Sequence, residues 1–290
     1  MRALLLLVCS MLAATAIAAQ RDDLCTVITR LTALPQLPEA SGVALSRRIP
    51  GLLWAHNDSG EPWLFALDAT GAVKGRTRVA GAEVEDWEDI SAGPCPQGSC
   101  LYIADIGDNN LARRRVRIYR VPEPRADEVT TQPADVFEAI YPDGPHDAEA
   151  LFVTGADDVF LVTKANADTT ALYRWPTPLR AGSALPLQLI ARLRVARITD
   201  ADASPDGAWV GLRTNGDVLF YPTRALLAGT APPPQRFNLR GLREPQGEGI
   251  TLGAGGVVYL VGEGRAGTLA ALRCSYIASA AGSAGLPNRR

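Results

Sequence analysis

The chain has 290 residues, 47 % of them apolar and 21 % charged, with 27 Gly, 21 Pro, five Cys, two His and a formal net charge of −2. This is the composition of an ordinary globular protein; it argues against a disordered or collagen-like chain, and its slightly acidic balance against nucleic-acid or anionic-membrane binding. With so few histidines, carboxylates must carry most of any metal or acid–base chemistry.

In chain order, Arg2, the apolar run 3–8 and the small-residue site Ala16-Ile17-Ala18 predict a secretory signal over residues 1–18. Residues 19–290 then form one domain, with a disordered tail from about residue 279. No later stretch approaches the roughly 20 apolar residues of a membrane helix, so a secreted or periplasmic protein without a membrane span is expected. In such an oxidising compartment Cys25, Cys95, Cys100 and Cys274 form an even set suited to disulfides, for which three pairings exist. Cys95 and Cys100 flank the turn-forming Pro96-Gln97-Gly98-Ser99, which favours a local bridge and leaves Cys25 for Cys274.

After the strand-like CTVITRLTAL (25–34), the chain repeats. An acidic residue followed by small or aliphatic ones recurs at Glu39, Glu88, Glu149, Asp202 and Glu248, in steps of 49, 61, 53 and 46 residues. Each is followed by a turn and a strand opening on an apolar or aromatic pair: LLWAHND (52–58), LYIADIGD (101–108), VFLVTKAN (159–166), WVGLRTN (209–215) and VYLVGEG (258–264). A third strand follows in each unit: WLFALDA (63–69), VRIYRVPE (116–123), ALYRWPT (171–177), VLFYPTR (218–224) and LAALRCS (269–275). A less regular fourth is readable at 73–81, 186–195 and 235–241. Repeats of this length built from short strands, without a substantial amphipathic helix, predict an all-β, five-bladed β-propeller. The fifth unit ends after its third strand, so the N-terminal strand is expected to complete the last blade, with Cys25–Cys274 clamping the ring.

Five carboxylates converging on one axis would repel strongly, and a hard divalent cation answers that repulsion. Calcium is therefore expected at Glu39, Glu88, Glu149, Asp202 and Glu248; the competing reading is that these acids cap turns or pair with arginines. Channel-facing positions are expected at Asn57, Asp58, Asp105, Asp108, Lys164, Arg213 and Glu263, although a one-residue slip would reverse the face. Lys164 and Arg213 beside the metal would suit an anionic or electron-rich substrate, with His146 (partnered by Asp147) or Asp105 moving the proton. The glycine-rich segment 262–267 precedes a strand, so it fails as a dinucleotide loop. No G-x-S-x-G, H-E-x-x-H or P-loop pattern occurs.

The strings EASG (39–42), DWEDI (86–90), LYIADIGDN (101–109), HDAEAL (146–151), SPDG (204–207) and GEGI (247–250) resemble a mostly uncharacterised family of secreted bacterial propellers. More distantly the layout resembles the calcium-activated nucleotidases (apyrases) and the paraoxonase, gluconolactonase and phytase-like propellers. That resemblance implies calcium at the axis, near Glu39, Glu88, Glu149, Asp202 and Glu248, but carries no activity across, since no full catalytic motif of those enzymes is matched. The residues themselves suit a monomeric, calcium-dependent hydrolase of a phosphoester, lactone or similar small substrate. The alternative is a non-catalytic propeller binding a ligand or protein, with structural calcium, or a cell-envelope scaffold.

Overall fold

The computed structural model describes residues 24–165 and 169–275; the expected signal segment (1–18) and disordered tail (from about 279) lie outside the described residues. It is a five-bladed β-propeller. Strand β1 (Cys25–Ala33) comes first. Blade one is β2 (Ala40–Leu45), β3 (Leu52–Asn57), β4 (Trp63–Asp68) and β5 (Val73–Arg78). Blade two is β6 (Trp87–Cys95), β7 (Gly98–Asp105), β8 (Val116–Pro122) and β9 (Asp135–Ile140), the last a strand that the sequence reading did not pick out. Blade three is β10 (Ala148–Gly155), β11 (Asp158–Thr163), β12 (Thr170–Arg174) and β14 (Gln188–Leu193). Between its third and fourth strands, the two-residue β13 (Leu185–Pro186) pairs parallel with β9. Blade four is β15 (Ile198–Ala203), β16 (Trp209–Thr214), β17 (Asp217–Pro222) and β18 (Gln235–Asn238), with the short helix α1 (Thr223–Leu227) before β18. Blade five is β19 (Gln246–Leu252), β20 (Val257–Glu263) and β21 (Thr268–Cys274), completed by β1.

The ring closes as the sequence predicts. β1 pairs antiparallel with β21, Cys25 stands opposite Cys274 and the two are disulfide-bonded; the second bridge joins Cys95 and Cys100 across the β6–β7 hairpin. Each blade packs both faces against neighbours, which explains why the strands read as apolar runs instead of alternating ones. One core fills each of the five seams. Trp54, Trp87 and Tyr119 lie between blades one and two, Tyr102, Leu161 and Tyr173 between two and three, and Phe152, Phe160 and Leu212 between three and four. Phe220, Leu260 and Leu272 fill the seam between four and five, and Leu34, Phe65 and Leu269 that between five and one. Among the described residues no helix is long and apolar enough to cross a membrane.

Candidate active site

The innermost strands β2, β6, β10, β15 and β19 surround the axis, and pairing with their neighbours fixes their mutual register. Val43, Ile90, Leu151, Ala201 and Ile250 face Ala55, Ile103, Leu161, Leu212 and Leu260, so they are equivalent. Counting back two positions places Ser41, Glu88, Glu149, Thr199 and Glu248 at one level, the upper mouth of the channel. The expected ring of five acids is therefore three. Glu39 precedes its strand, is exposed and accepts a bond from the Ser59 hydroxyl at 2.6 Å. Asp202 lies three positions further down its strand, near the opposite end. A register shift occurs in every inner strand at this level, so sequence spacing alone misaligned two of the five.

Glu88 and Glu149 are buried at the mouth. Lys164 Nζ sits 2.5 Å from Glu149 Oε1. Burial pushes Glu149 up to about 7 even with that ammonium alongside. Burial also works against the Lys164 charge, but Glu149, Asp147 and Glu88 hold it above its ordinary value. Glu88 is raised well above the usual carboxylate range, first by burial and then by Glu149 and Asp86. Its carboxyl is hydrogen-bonded to that of Asp86, a residue the sequence reading quoted within DWEDI but gave no role. Both carboxyls press against the Cα of Gly107, where any Cβ would collide with Glu88 Oε1 and Asp86 Oδ2. Glycine is required there for the two acids to meet. The Ser41 hydroxyl lies 3.4 Å from Glu88 Oε2 on the other side.

Further around the mouth, Gln246 Nε2 bridges Glu248 Oε1 and Glu263 Oε2, each at 2.6 Å. Asp58 has one buried carboxylate oxygen without a hydrogen-bond partner among the described residues, and burial followed by Glu39 and Glu263 raises it to about 6. The mouth thus gathers Glu39, Asp58, Asp86, Glu88, Asp147, Glu149, Glu248 and Glu263 around the single lysine Lys164. Its field favours neutral or cationic molecules over anions.

Several expected site residues are elsewhere. Arg213 does not face the mouth. It stands opposite Asp200, one position before Thr214, so the pleat turns it into the seam between blades four and five. There its fully buried guanidinium donates to the Gly249 and Val261 carbonyls and pairs with Glu244 at 2.6 Å. The residue equivalent to Lys164 in that blade is Asn215, which accepts the Gly247 N–H at 2.7 Å. Replacing Arg213 with methionine leaves Glu244 buried and uncompensated, and is expected to cost about 3–5 kcal/mol in a denaturant melt.

His146 pairs with Asp143 at 2.9 Å and lies 3.2 Å from the Tyr173 hydroxyl, not with Asp147. Asp147 instead accepts the Asp108 N–H at 2.9 Å. Asp105 is buried and ion-paired to Arg113 at 2.9 Å. Asp108 caps its own loop, accepting from the Ala112 and Arg113 N–H groups at 2.8 Å. Asn57 accepts the Glu39 N–H at 3.2 Å. The polar groups of Asn57, Asp105, Asp108 and His146 are thus engaged by other parts of the chain, save Asp105 Oδ2, which is buried without a hydrogen-bond partner among the described residues. His56, one position before Asn57, is wholly buried, and desolvation lowers it to about 4.

The side chains present do not fit the expected axial calcium cage. Among the described residues no three His, Cys, Asp or Glu side chains are arranged to hold a metal ion. The Lys164 ammonium takes the place next to Glu149, and burial raises both Asp86 and Glu88, which favours a proton over a metal ion between them.

One level below the mouth, the equivalent positions are Gly42, Asp89, Ala150, Asp200 and Gly249. Asp89 and Asp200 meet across the axis and are hydrogen-bonded to each other. Their other contacts are backbone N–H groups: Ile90 and Leu151 donate to Asp89 at 2.5 Å, and Ala201 and Ile250 donate to Asp200. Each acid therefore ties its blade to the next. Burial raises Asp89 to about 7 and Asp200 well above its usual range, so the pair holds a proton at neutral pH.

No known family profile matches the chain, and no curated protein does. Among solved structures it is similar to the apo form of the soluble aldose sugar dehydrogenase of Escherichia coli, at 9 % identity and a TM-score of 0.49, over 84 % of this chain and 99 % of that one.

Proposed function

We propose that the chain is an exported propeller whose upper channel mouth hydrolyses a small neutral or cationic ester or lactone by acid–base catalysis. The observation that supports this reading is the convergence of the Asp86 and Glu88 carboxyls on Gly107, next to the Glu149–Lys164 pair. A carboxyl that keeps its proton near neutral pH is a general acid, and a nearby carboxylate is a general base. Glu149 takes a proton from water as its oxygen adds to the acyl carbon. Lys164 stabilises the negative charge on the tetrahedral oxygen. Glu88 then protonates the departing alkoxide, held in place by Asp86, so that water is added across the acyl–oxygen bond. The acidic mouth disfavours the phosphoester among the substrates expected from the sequence. Export accords with the two disulfides and with the signal-like residues 1–18.

A panel of neutral lactones, neutral aryl esters and an aryl phosphate, run with calcium and with a chelator, tests this proposal. Turnover is expected for a neutral substrate only, unchanged by the chelator. Calcium is expected to leave the melting temperature unmoved; a calcium-dependent rise would restore the metal reading. A silent panel would favour the non-catalytic ligand-binding alternative. Gly107→Ala is expected to lower turnover at least tenfold, by splaying Asp86 from Glu88, and to shift the melting temperature little. The colliding atoms are the ends of side chains that can swing aside.

A further inference from the structure

Below the Asp89–Asp200 pair the channel opens again. A cavity of about 290 Å³ faces the end of the molecule opposite the acidic mouth, near the lower limit of small-molecule sites. Leu45, Ala92, Pro205 and Leu252 wall it, Asp202 lies in its floor, and Arg47 is at its rim. Neither charge meets an opposite one among the described residues. Arg47 donates its backbone N–H to Glu123, but its exposed guanidinium makes no ion pair among the described residues. The Asp202 carboxylate accepts from the N–H groups of Ala203 and Leu252 and the hydroxyls of Thr251 and, at 3.4 Å, Ser91. No Lys, Arg or His among the described residues pairs with it, and burial lifts it to about 6. One hydrogen-bonded carboxylate makes a poor metal site. Opposite, mutually unpaired charges lining one small, partly apolar cavity match a molecule carrying both.

We infer that this lower vestibule binds a small zwitterion with an apolar side chain, the size of a free α-amino acid. Its ammonium sits on Asp202, its carboxylate on Arg47, and its side chain against Leu45, Pro205 and Leu252. The Asp89–Asp200 pair separates this site from the acidic mouth, so the inference stands independently of the proposed hydrolysis.

Calorimetric titration of the folded protein with L-leucine, 3-methylbutylamine and 4-methylpentanoate tests it. The amine lacks the carboxylate and the acid lacks the ammonium. Leucine is expected to bind saturably, and each truncated molecule at least about tenfold more weakly, the loss of one charge-assisted contact. Arg47→Ala is expected to weaken leucine by a similar factor, as is Asp202→Asn, while Lys164→Met leaves its affinity unchanged. Asp202 also bridges blades, so Arg47→Ala, on the exposed rim, decides the matter if the Asp202 variant does not fold. No saturable leucine binding up to about 10 mM, or binding indifferent to Arg47→Ala, would overturn the inference.

Discussion

Replacing Cys274 with alanine is expected to lower the stability of the oxidised protein by about 5 kcal/mol in the chain-entropy model, because the bridge to Cys25 closes a loop with a sequence separation of 249. The crosslink spans nearly the whole ring, so its loss frees the unfolded chain more than any local bridge can. In the native state β1 remains paired with β21, but its outer residues Val27 and Ile28 are exposed and add little packing. The fifth blade should therefore fray first, and hydrogen exchange in β1 and β21 should accelerate before that in blades two to four. Opening the Cys95–Cys100 bridge, with a separation of five, is expected to cost only about 2 kcal/mol in the same model. Parallel denaturant melts of Cys274→Ala and Cys100→Ala check the difference. Equal losses would mean that ring closure rests on packing alone.

Asp200→Asn is expected to change how stability depends on pH. The folded chain holds Asp89 and Asp200 above their ordinary range through burial, so it binds protons that the unfolded chain has released. Stability from this pair is greatest in acid and falls as pH rises from about 4, where unfolded carboxylates ionise, through about 7, where Asp89 does. Each excess proton contributes a slope of about 1.4 kcal/mol per pH unit. An asparagine amide at 200 donates to Asp89 without any titration. Its single oxygen cannot serve both the Ala201 and Ile250 N–H groups, which costs about 1 kcal/mol at acid pH. The variant should melt slightly below the wild type at pH 5 and clearly above it at pH 9. Glu88 and Glu149 contribute alike in both proteins, so the difference between the two curves isolates the axial pair together with Asp202, whose charge acts on both its members. Parallel curves would show that the pair carries no shared proton.

The blade count, the completing N-terminal strand and both disulfides were legible in the sequence. They rest on features that repeat or that pair by elimination: an apolar second strand in every unit, an orphan strand before the first, an even set of four cysteines after residue 18. The level of each acid was not legible. Unit four offers Asp200 and Asp202, and only strand pairing reveals that neither shares the Glu88 level, which Thr199 occupies. Unit one offers Glu39, but Ser41 holds that level. Arg213 was assigned to the mouth through a one-residue slip, the error to which a period of two is most exposed. Asp86 and Gly107 gave no separate signal, since their role lies in a contact between two loops of blade two. The Asp89–Asp200 meeting joins blades that are not neighbours in the ring, and spacing along the chain carries no trace of it.

The chemistry proposed for the mouth rests on the proton that Glu88 gives. Its most direct test is kcat/KM for the best neutral ester or lactone, measured on the wild type and on Glu88→Gln, with both melting curves recorded. A loss of about 10²–10⁴-fold in a variant that melts no lower than the wild type is predicted, since the glutamine still accepts the same neighbours but has no proton to give. A Glu88→Gln protein that turns over substrate at the wild-type rate would rule out Glu88 as the general acid.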